Sequence, residues 1–188
     1  MKTAIITGST NPVGNIIFEK YKNQYNWLVV SRSNGFDLLT QESCDRVVEL
    51  AKDADVFFNI ACIVHSQSEL AIRVFNTWKK NANFDIKKII SFGTLATDFS
   101  VNDLQLLRGF QSEYVSTKLL LEKAHKELCY DHLTNNWHNM PQSILIKFGN
   151  LLEASNNEPF TDSEQLIEAV DYVLNSQSYI SDLSVRWN

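Results

Sequence analysis

Short runs that are apolar on both faces alternate along this chain with stretches of helical periodicity. That alternation limits the folds open to it more than any other feature. Residues 2–7, 27–31, 55–61, 88–93 and 143–148 read as buried strands, with 36–38 as a short extra strand and 179–186 as the last. Between them run helical patterns over 13–24, with Ile16, Ile17 and Tyr21 on one face, and over 68–80 and 111–130. Thr40 can cap a further helix to about residue 52, with Val47, Val48 and Ala51 turned inward. Thr161-Asp162-Ser163-Glu164 has the form of a capping box before a helix to residue 174. Strands buried on both faces require a parallel sheet with helices on both sides. Right-handed crossovers make this a doubly wound, Rossmann-like α/β fold. A chain of 188 residues forms one such domain around one sizeable core.

In a doubly wound sheet a ligand binds beyond the carboxyl ends of the strands. Gly8, Arg32, Asn59 and Thr94 all fall at or just after expected strand ends. The first strand runs into Thr7-Gly8-Ser9-Thr10-Asn11-Pro12-Val13-Gly14. There Gly8 can take a tight turn, Gly14 lets helix and sheet approach, and the helix N-terminus offers N–H groups and a positive dipole end to a pyrophosphate. Pro12 has no N–H, but its φ suits a first helical turn. Ser9, Thr10 and Asn11 can supply donors in its place. A plain strand-to-helix turn would carry the same glycine pair. Further on, Tyr114 and Lys118 lie one helical turn apart on one face, and Tyr114 is the one tyrosine of six followed by Lys at i+4. A phenol needs a neighbouring cation to exchange protons at neutral pH.

The net charge of −5 gives no reason to expect nucleic acid or an anionic membrane as partner. Cys44, Cys62 and Cys129 form neither a CxxC pair nor a disulfide framework, which suits a reducing cytoplasm. No signal peptide or membrane span is expected. His65, His125, His132 and His138 lack metal-ligand spacing and read as surface or packing residues, so no metal is expected. Cys62 reads as a small buried residue, and Phe75 and Trp78 as core or subunit interface.

These motifs, in this order, resemble the short-chain dehydrogenase/reductase family over nearly the whole chain. The glycine turn is similar to that family's TGxxxGxG with Pro12 at the middle glycine. Asn59-Ile60-Ala61-Cys62 resembles its Asn-Asn-Ala-Gly, keeping Asn59 and Ala61. Ile89-Ile90-Ser91-Phe92-Gly93-Thr94 resembles the strand that carries its active-site serine, with Thr94 at that position, or Ser91 if the register slides. Tyr114 and Lys118 match YxxxK in full. The resemblance implies an NAD(P)(H)-dependent oxidoreductase acting on a small carbonyl or alcohol. Tyr114 is its acid/base, Lys118 lowers the Tyr114 pKa and holds the nicotinamide ribose, and Thr94 or Ser91 polarises the carbonyl. The family's catalytic Asn does not align cleanly with Asn76, Asn81 or Asn83.

The implied cofactor contacts are Gly8, Ser9, Thr10, Asn11, Val13, Gly14, Arg32, Asp37, Leu38, Asn59, Ala61, Tyr114 and Lys118. Arg32, flanked by Ser31 and Ser33, stands where an NAD-specific protein carries an acidic residue, so NADP is preferred over NAD. Asp37, between Phe36 and Leu38, resembles the acidic residue beside the adenine. The helix between the second and third strands is absent, and residues 149–160 leave only a short polar loop where the family has a substrate lid. Two other readings stay open: a dinucleotide-binding sensor or regulator without turnover, and a sheet domain used only for assembly. Family members pair as homodimers or homotetramers through helices that correspond here to those bearing Leu70, Val74 and Trp78, and Leu120, Ala124 and Leu128.

Overall fold

The computed structural model describes residues 1–63, 65–80, 86–98, 112–134, 140–151 and 160–185. Six strands form one parallel sheet: β1 Thr3–Thr7, β2 Asn26–Val30, β3 Val56–Asn59, β4 Lys88–Thr94, β5 Gln142–Phe148 and β8 Asp182–Val185. Their order is β2-β1-β3-β4-β5-β8, all neighbours parallel. Among the described residues five helices lie between them: α1 Pro12–Tyr21, α2 Gln41–Ala51, α3 Ser66–Lys80, α4 Ser112–Thr134 and α5 Ser163–Asn175. The pair β6 Asn150–Leu151 and β7 Phe160–Thr161 joins the two ends of the 149–160 segment; residues 152–159, where a lid would stand, lie outside the described residues.

Strand alternation explains why the apolar runs had no polar face. Ile5, Phe57 and Ile89 sit side by side and point to a core shared with Val47, Leu70, Val74 and Trp78. Their successors Ile6, Phe58 and Ile90 point the other way, to Ile17, Leu166, Val170 and Val173. Each side chain alternates, yet both faces are buried, as a parallel sheet between helices requires. Phe75 and Trp78 belong to the first of these cores, and the Trp78 indole N–H donates to the Ala51 carbonyl at 2.5 Å. Of the two helical stripes, Leu70, Val74, Trp78, Ala124 and Leu128 face the protein's own interior, and Leu120 is exposed.

Three expected elements differ from the structure. Residues 36–38 are not a strand. Phe36 N–H turns back to the Ser31 carbonyl at 3.1 Å, Asp37 N–H donates to Ser43 Oγ at 3.1 Å, and Thr40 N–H donates to the Asp37 carbonyl at 2.9 Å. Phe36 and Leu38 are buried all the same, so the apolar pattern reports burial while turns and the first turn of α2 satisfy the backbone. The capping box sits one residue late: Asp162 accepts from Glu164 N–H at 3.0 Å, and Gln165 Oε1 accepts from Asp162 N–H at 3.2 Å. The last strand is four residues long and half-exposed, as an edge strand is. Thr40 does cap α2, accepting from Ser43 N–H. No helix among the described residues is long and apolar enough to cross a membrane.

The strand order reverses at β1, whose neighbours β2 and β3 lead away in opposite directions. Thr7 Oγ1 fastens this point by accepting from the N–H groups of Ile60 and Ala61, at 3.0 and 3.1 Å.

Candidate functional site

At the reversal the chain leaves β1 through Gly8, whose φ is +73°. A Cβ there would stand 2.8 Å from Ala61 N. Asn11 caps α1, its Oδ1 accepting from Gly14 N–H at 2.8 Å, and Pro12 occupies the first helical position. Gly14 lies so close under the turn that a Cβ on it would fall 2.1 Å from the Gly8 carbonyl oxygen. Backbone packing alone therefore demands both glycines. Of the first three N–H groups of α1, Pro12 lacks one and Asn11 takes another.

Beside this turn opens a cleft of about 410 Å³. One wall is Gly8, Thr10 and Asn11; the far wall is Ser31, Arg32 and Ser33; Phe36, Leu38 and Ile63 make an apolar side. Ala61 and Cys62 complete it. Ser9, Val13 and Gly14 back the turn and are not part of the wall. Arg32 opens a short 3-10 turn ended by Gly35 in the left-handed region, and its side chain is 72% exposed. The Arg32 guanidinium lies 3.9 Å from Asp37 Oδ1, so Asp37 faces Arg32 and is not in the cleft wall.

A second group of residues gathers beyond the ends of β3 and β4. The Thr94 side chain lies close enough to the Tyr114 hydroxyl to lower its pKa. Burial first, and then the neighbouring Cys62, push the phenol up to about 12, while Thr94 works in the opposite direction. Lys118 Nζ lies 5.6 Å from the centre of the Tyr114 ring. It donates to the Phe92 carbonyl at 2.7 Å and to Gln67 Oε1 at 2.9 Å, with Cys62 as a third neighbour. Burial lowers the Lys118 pKa, and Cys62 raises it in part. The ammonium thus meets the face of the phenol and not its hydroxyl, and the expected lowering of the Tyr114 pKa by Lys118 is not what this arrangement does.

Thr94 meets Tyr114. Ser91 lies three residues deeper in β4, fully buried, and accepts from Asn59 Nδ2 at 3.3 Å; it does not join the pair. Asn59 is also buried, and its Nδ2 donates to the Gln67 carbonyl at 2.8 Å. Gln67 Nε2 returns a bond to the Asn59 carbonyl at 2.8 Å. Gln67 therefore links β3 to the Lys118 ammonium, a residue that the motif reading did not single out. Its signal was an amide on the first turn of the helix after β3. Asn76 is exposed on α3, and Asn81 and Asn83 lie outside the described residues. Cys62, expected to be buried, is exposed on the cleft wall beside Lys118, because the chain turns outward after Ala61. His65 is exposed, His125 and His132 are buried, and His138 lies outside the described residues. No group of three or more His, Cys, Asp or Glu among the described residues could hold a metal ion.

No family model and no curated protein sequence matches this chain. Solved structures do. A short chain dehydrogenase from Burkholderia cenocepacia J2315, in complex with NADP, superposes with a TM-score of 0.69 at 13% identity, over 100% of this chain and 90% of its own. An alcohol dehydrogenase from the archaeon Thermococcus sibiricus, complexed with 5-hydroxy-NADP, gives 0.65 at 16% identity, over 99% and 96%. A dTDP-4-dehydrorhamnose reductase from Yersinia enterocolitica gives 0.69 at 15% identity, over 98% and 74%. The likeness is one of three-dimensional structure across the whole chain: this protein has the fold of the short-chain dehydrogenases/reductases.

Proposed function

We propose that the chain, as a single 1–188 unit, is an NAD(P)(H)-dependent oxidoreductase that interconverts a small carbonyl compound and its alcohol. The observation that carries this reading is the meeting of Tyr114, Thr94 and Lys118 beyond the sheet's carboxyl edge, next to a cleft at the strand-order reversal. The residues present fit a dinucleotide. The apolar side of Phe36, Leu38 and Ile63 suits an adenine. Thr10 and Asn11 suit a pyrophosphate, and Lys118 and Tyr114 suit the nicotinamide end. A bound nicotinamide supplies or accepts the hydride. The Tyr114 O–H gives its proton to the substrate oxygen in reduction, and Thr94 orients that oxygen and the phenol together. Lys118, held by Gln67 and Phe92, sets a cation over the face of the Tyr114 ring.

NADP is the preferred cofactor, through Arg32 and the flanking serines. Arg32→Ala raises the Kd for NADPH about fivefold to tenfold and leaves that for NADH within about twofold, from one exposed charge-assisted contact. Fluorescence titration with each nucleotide measures this. Equal effects on both would remove the 2′-phosphate assignment.

Gln67 is a positioning residue. Gln67→Leu removes one acceptor from a buried ammonium, so the Lys118 pKa falls further. The alkaline limb of the kcat profile moves to lower pH, and kcat falls about tenfold. An unchanged pH profile would make Gln67 structural only.

A second reading has its own support. With Pro12 lacking an N–H and Asn11 holding Gly14 N–H, α1 offers a phosphate fewer donors than a free helix N-terminus does. A dinucleotide-binding regulator without turnover fits that. Steady NADPH binding with no oxidation against a carbonyl panel would favour it. Assembly as a homodimer or homotetramer belongs to the first reading, with Leu119 and Leu120 exposed on α4.

A further inference from the structure

β4 ends at Thr94, and the chain passes at once into a 3-10 turn, Leu95–Asp98. Registered pairing of β4 with β5 also ends there, at Thr94 and Phe148, so the ladder alone does not fix how this turn sits. A buried lysine does. We propose that Lys147, in a role that rests on the oxidoreductase reading of this site, is a positioning residue whose ammonium ties the turn to α4 and so holds Thr94 against Tyr114.

Lys147 stands on β5 opposite Gly93, the residue before Thr94. Gly93 leaves room for its stem: a Cβ there would lie 3.1 Å from Lys147 Cγ. The aliphatic part therefore runs across the end of β4, and Lys147 as a whole is 8% exposed. Its Nζ meets the carboxylate of Asp98, the last residue of the turn, and lies 3.1 Å from Glu122 Oε1 on α4. Burial works against the ammonium, but the two carboxylates outweigh it and raise the Lys147 pKa. Glu122 is one helical turn past Lys118, yet it turns to Lys147, while Lys118 donates to Phe92 and Gln67. One cation thus joins β5, the turn after β4 and the helix that carries Tyr114.

The turn so held touches Thr94 twice. Ala96 N–H donates to Thr94 Oγ1 at 3.3 Å, which occupies one lone pair of that hydroxyl and leaves its proton for an oxygen in the site. Thr97 Oγ1 lies 2.7 Å from the Thr94 carbonyl and also meets the Glu122 carboxylate, so its single proton serves either acceptor and links the turn to α4 by a second route. With both carboxylates on it, the Lys147 ammonium is engaged inside the protein and is not left over for an anionic substrate. Removing it leaves Asp98 and Glu122 as uncompensated like charges across the gap, and the turn and α4 part. A shift of about 1 Å between groups that must meet one substrate oxygen costs up to about 100-fold in rate.

Lys147→Met keeps the stem and removes the charge. With a carbonyl substrate its kcat should fall about 10- to 100-fold, while KM and the Kd for NADPH stay within about twofold. Asp98→Asn, at the half-exposed end of the tie, leaves the ammonium its Glu122 partner and should lower kcat about threefold to tenfold in a protein that folds as wild type does. A nuclear Overhauser contact between the Thr94 methyl group and the Tyr114 ring reads the same tie without turnover. It should be present in wild type, weaker in Asp98→Asn and lost in Lys147→Met, with the distant Phe18–Trp27 ring contact kept in all three. A kcat or a Thr94–Tyr114 contact that stays at the wild-type value in Asp98→Asn overturns the proposal, even if Lys147→Met fails to fold. A loss carried by KM or stability alone makes Lys147 structural only. If wild type turns over no carbonyl, the oxidoreductase reading fails, and the Overhauser series still decides whether Lys147 holds the two groups together.

Discussion

Tyr114→Phe lowers kcat/KM by about 10²–10⁴-fold, the usual worth of a positioned acid/base, while the Kd for NADPH changes by less than about twofold. The ring remains over Lys118 in the variant, so the ammonium keeps its surroundings and only the hydroxyl is lost. The pH dependence expected of each direction follows from the phenol's pKa. It stands at about 12, raised first by burial, so at neutral pH the group is protonated and ready to act as an acid. Carbonyl reduction should then be flat through neutral pH, because the acid form is saturated. Alcohol oxidation needs the phenolate and should rise by about tenfold per pH unit toward the alkaline range. Initial rates in both directions between pH 6 and 10 measure the two profiles. Turnover that survives Tyr114→Phe unchanged, or an oxidation rate that ignores pH, would take Tyr114 out of the acid/base role.

The parallel sheet was legible because its four central strands, β1, β3, β4 and β5, are apolar on both faces, and only a sandwiched sheet buries such runs. Thr40 was legible as a cap because a cap is a local contest for N–H groups. The strand expected at 36–38 failed for a reason periodicity cannot carry. Phe36 and Leu38 are buried, but whether their backbone pairs with a neighbouring strand or with α2's first turn depends on Ser31 and Ser43, partners on either side of the run that no alternation encodes. The YxxxK pair was legible because i and i+4 share a helix face. Its electrostatics were not: the Lys118 ammonium is directed by Phe92 and Gln67, from a strand and another helix, and Tyr114's pKa is set by burial and Cys62. Thr94 and Ser91 were separable only by register, since three residues along a strand both invert the face and change the depth. Gln67 and Cys62 escaped because no spacing rule ties the first turn of α3, or the residue after Ala61, to a lysine more than fifty positions later.

The second large effect falls on the turn itself. Gly14→Ala destabilises the protein by about 3 kcal/mol, at the upper end of ordinary overpacking, because both sides of the clash are backbone. The added Cβ would stand 2.1 Å from the Gly8 oxygen, 2.7 Å from the Gly8 carbonyl carbon and 2.8 Å from Ser9 Cα, with no flexible side chain to yield. Gly8 cannot retreat, since it is itself packed against Ala61. For a chain of this length that loss lowers Tm by about 6–12 °C. Relief comes only by lifting α1 away from the turn, which widens the cleft between Thr10 and Arg32 and weakens NADPH binding with stability. Gly35→Ala is the control. That residue has φ +78° but nothing within 4 Å of the added Cβ, so it meets the left-handed penalty alone, about 1–2 kcal/mol. Thermal melts of the two variants, each followed by NADPH titration, separate steric packing from backbone strain. A Gly14→Ala protein that melts with wild type would mean that α1 does not rest on the Gly8 turn.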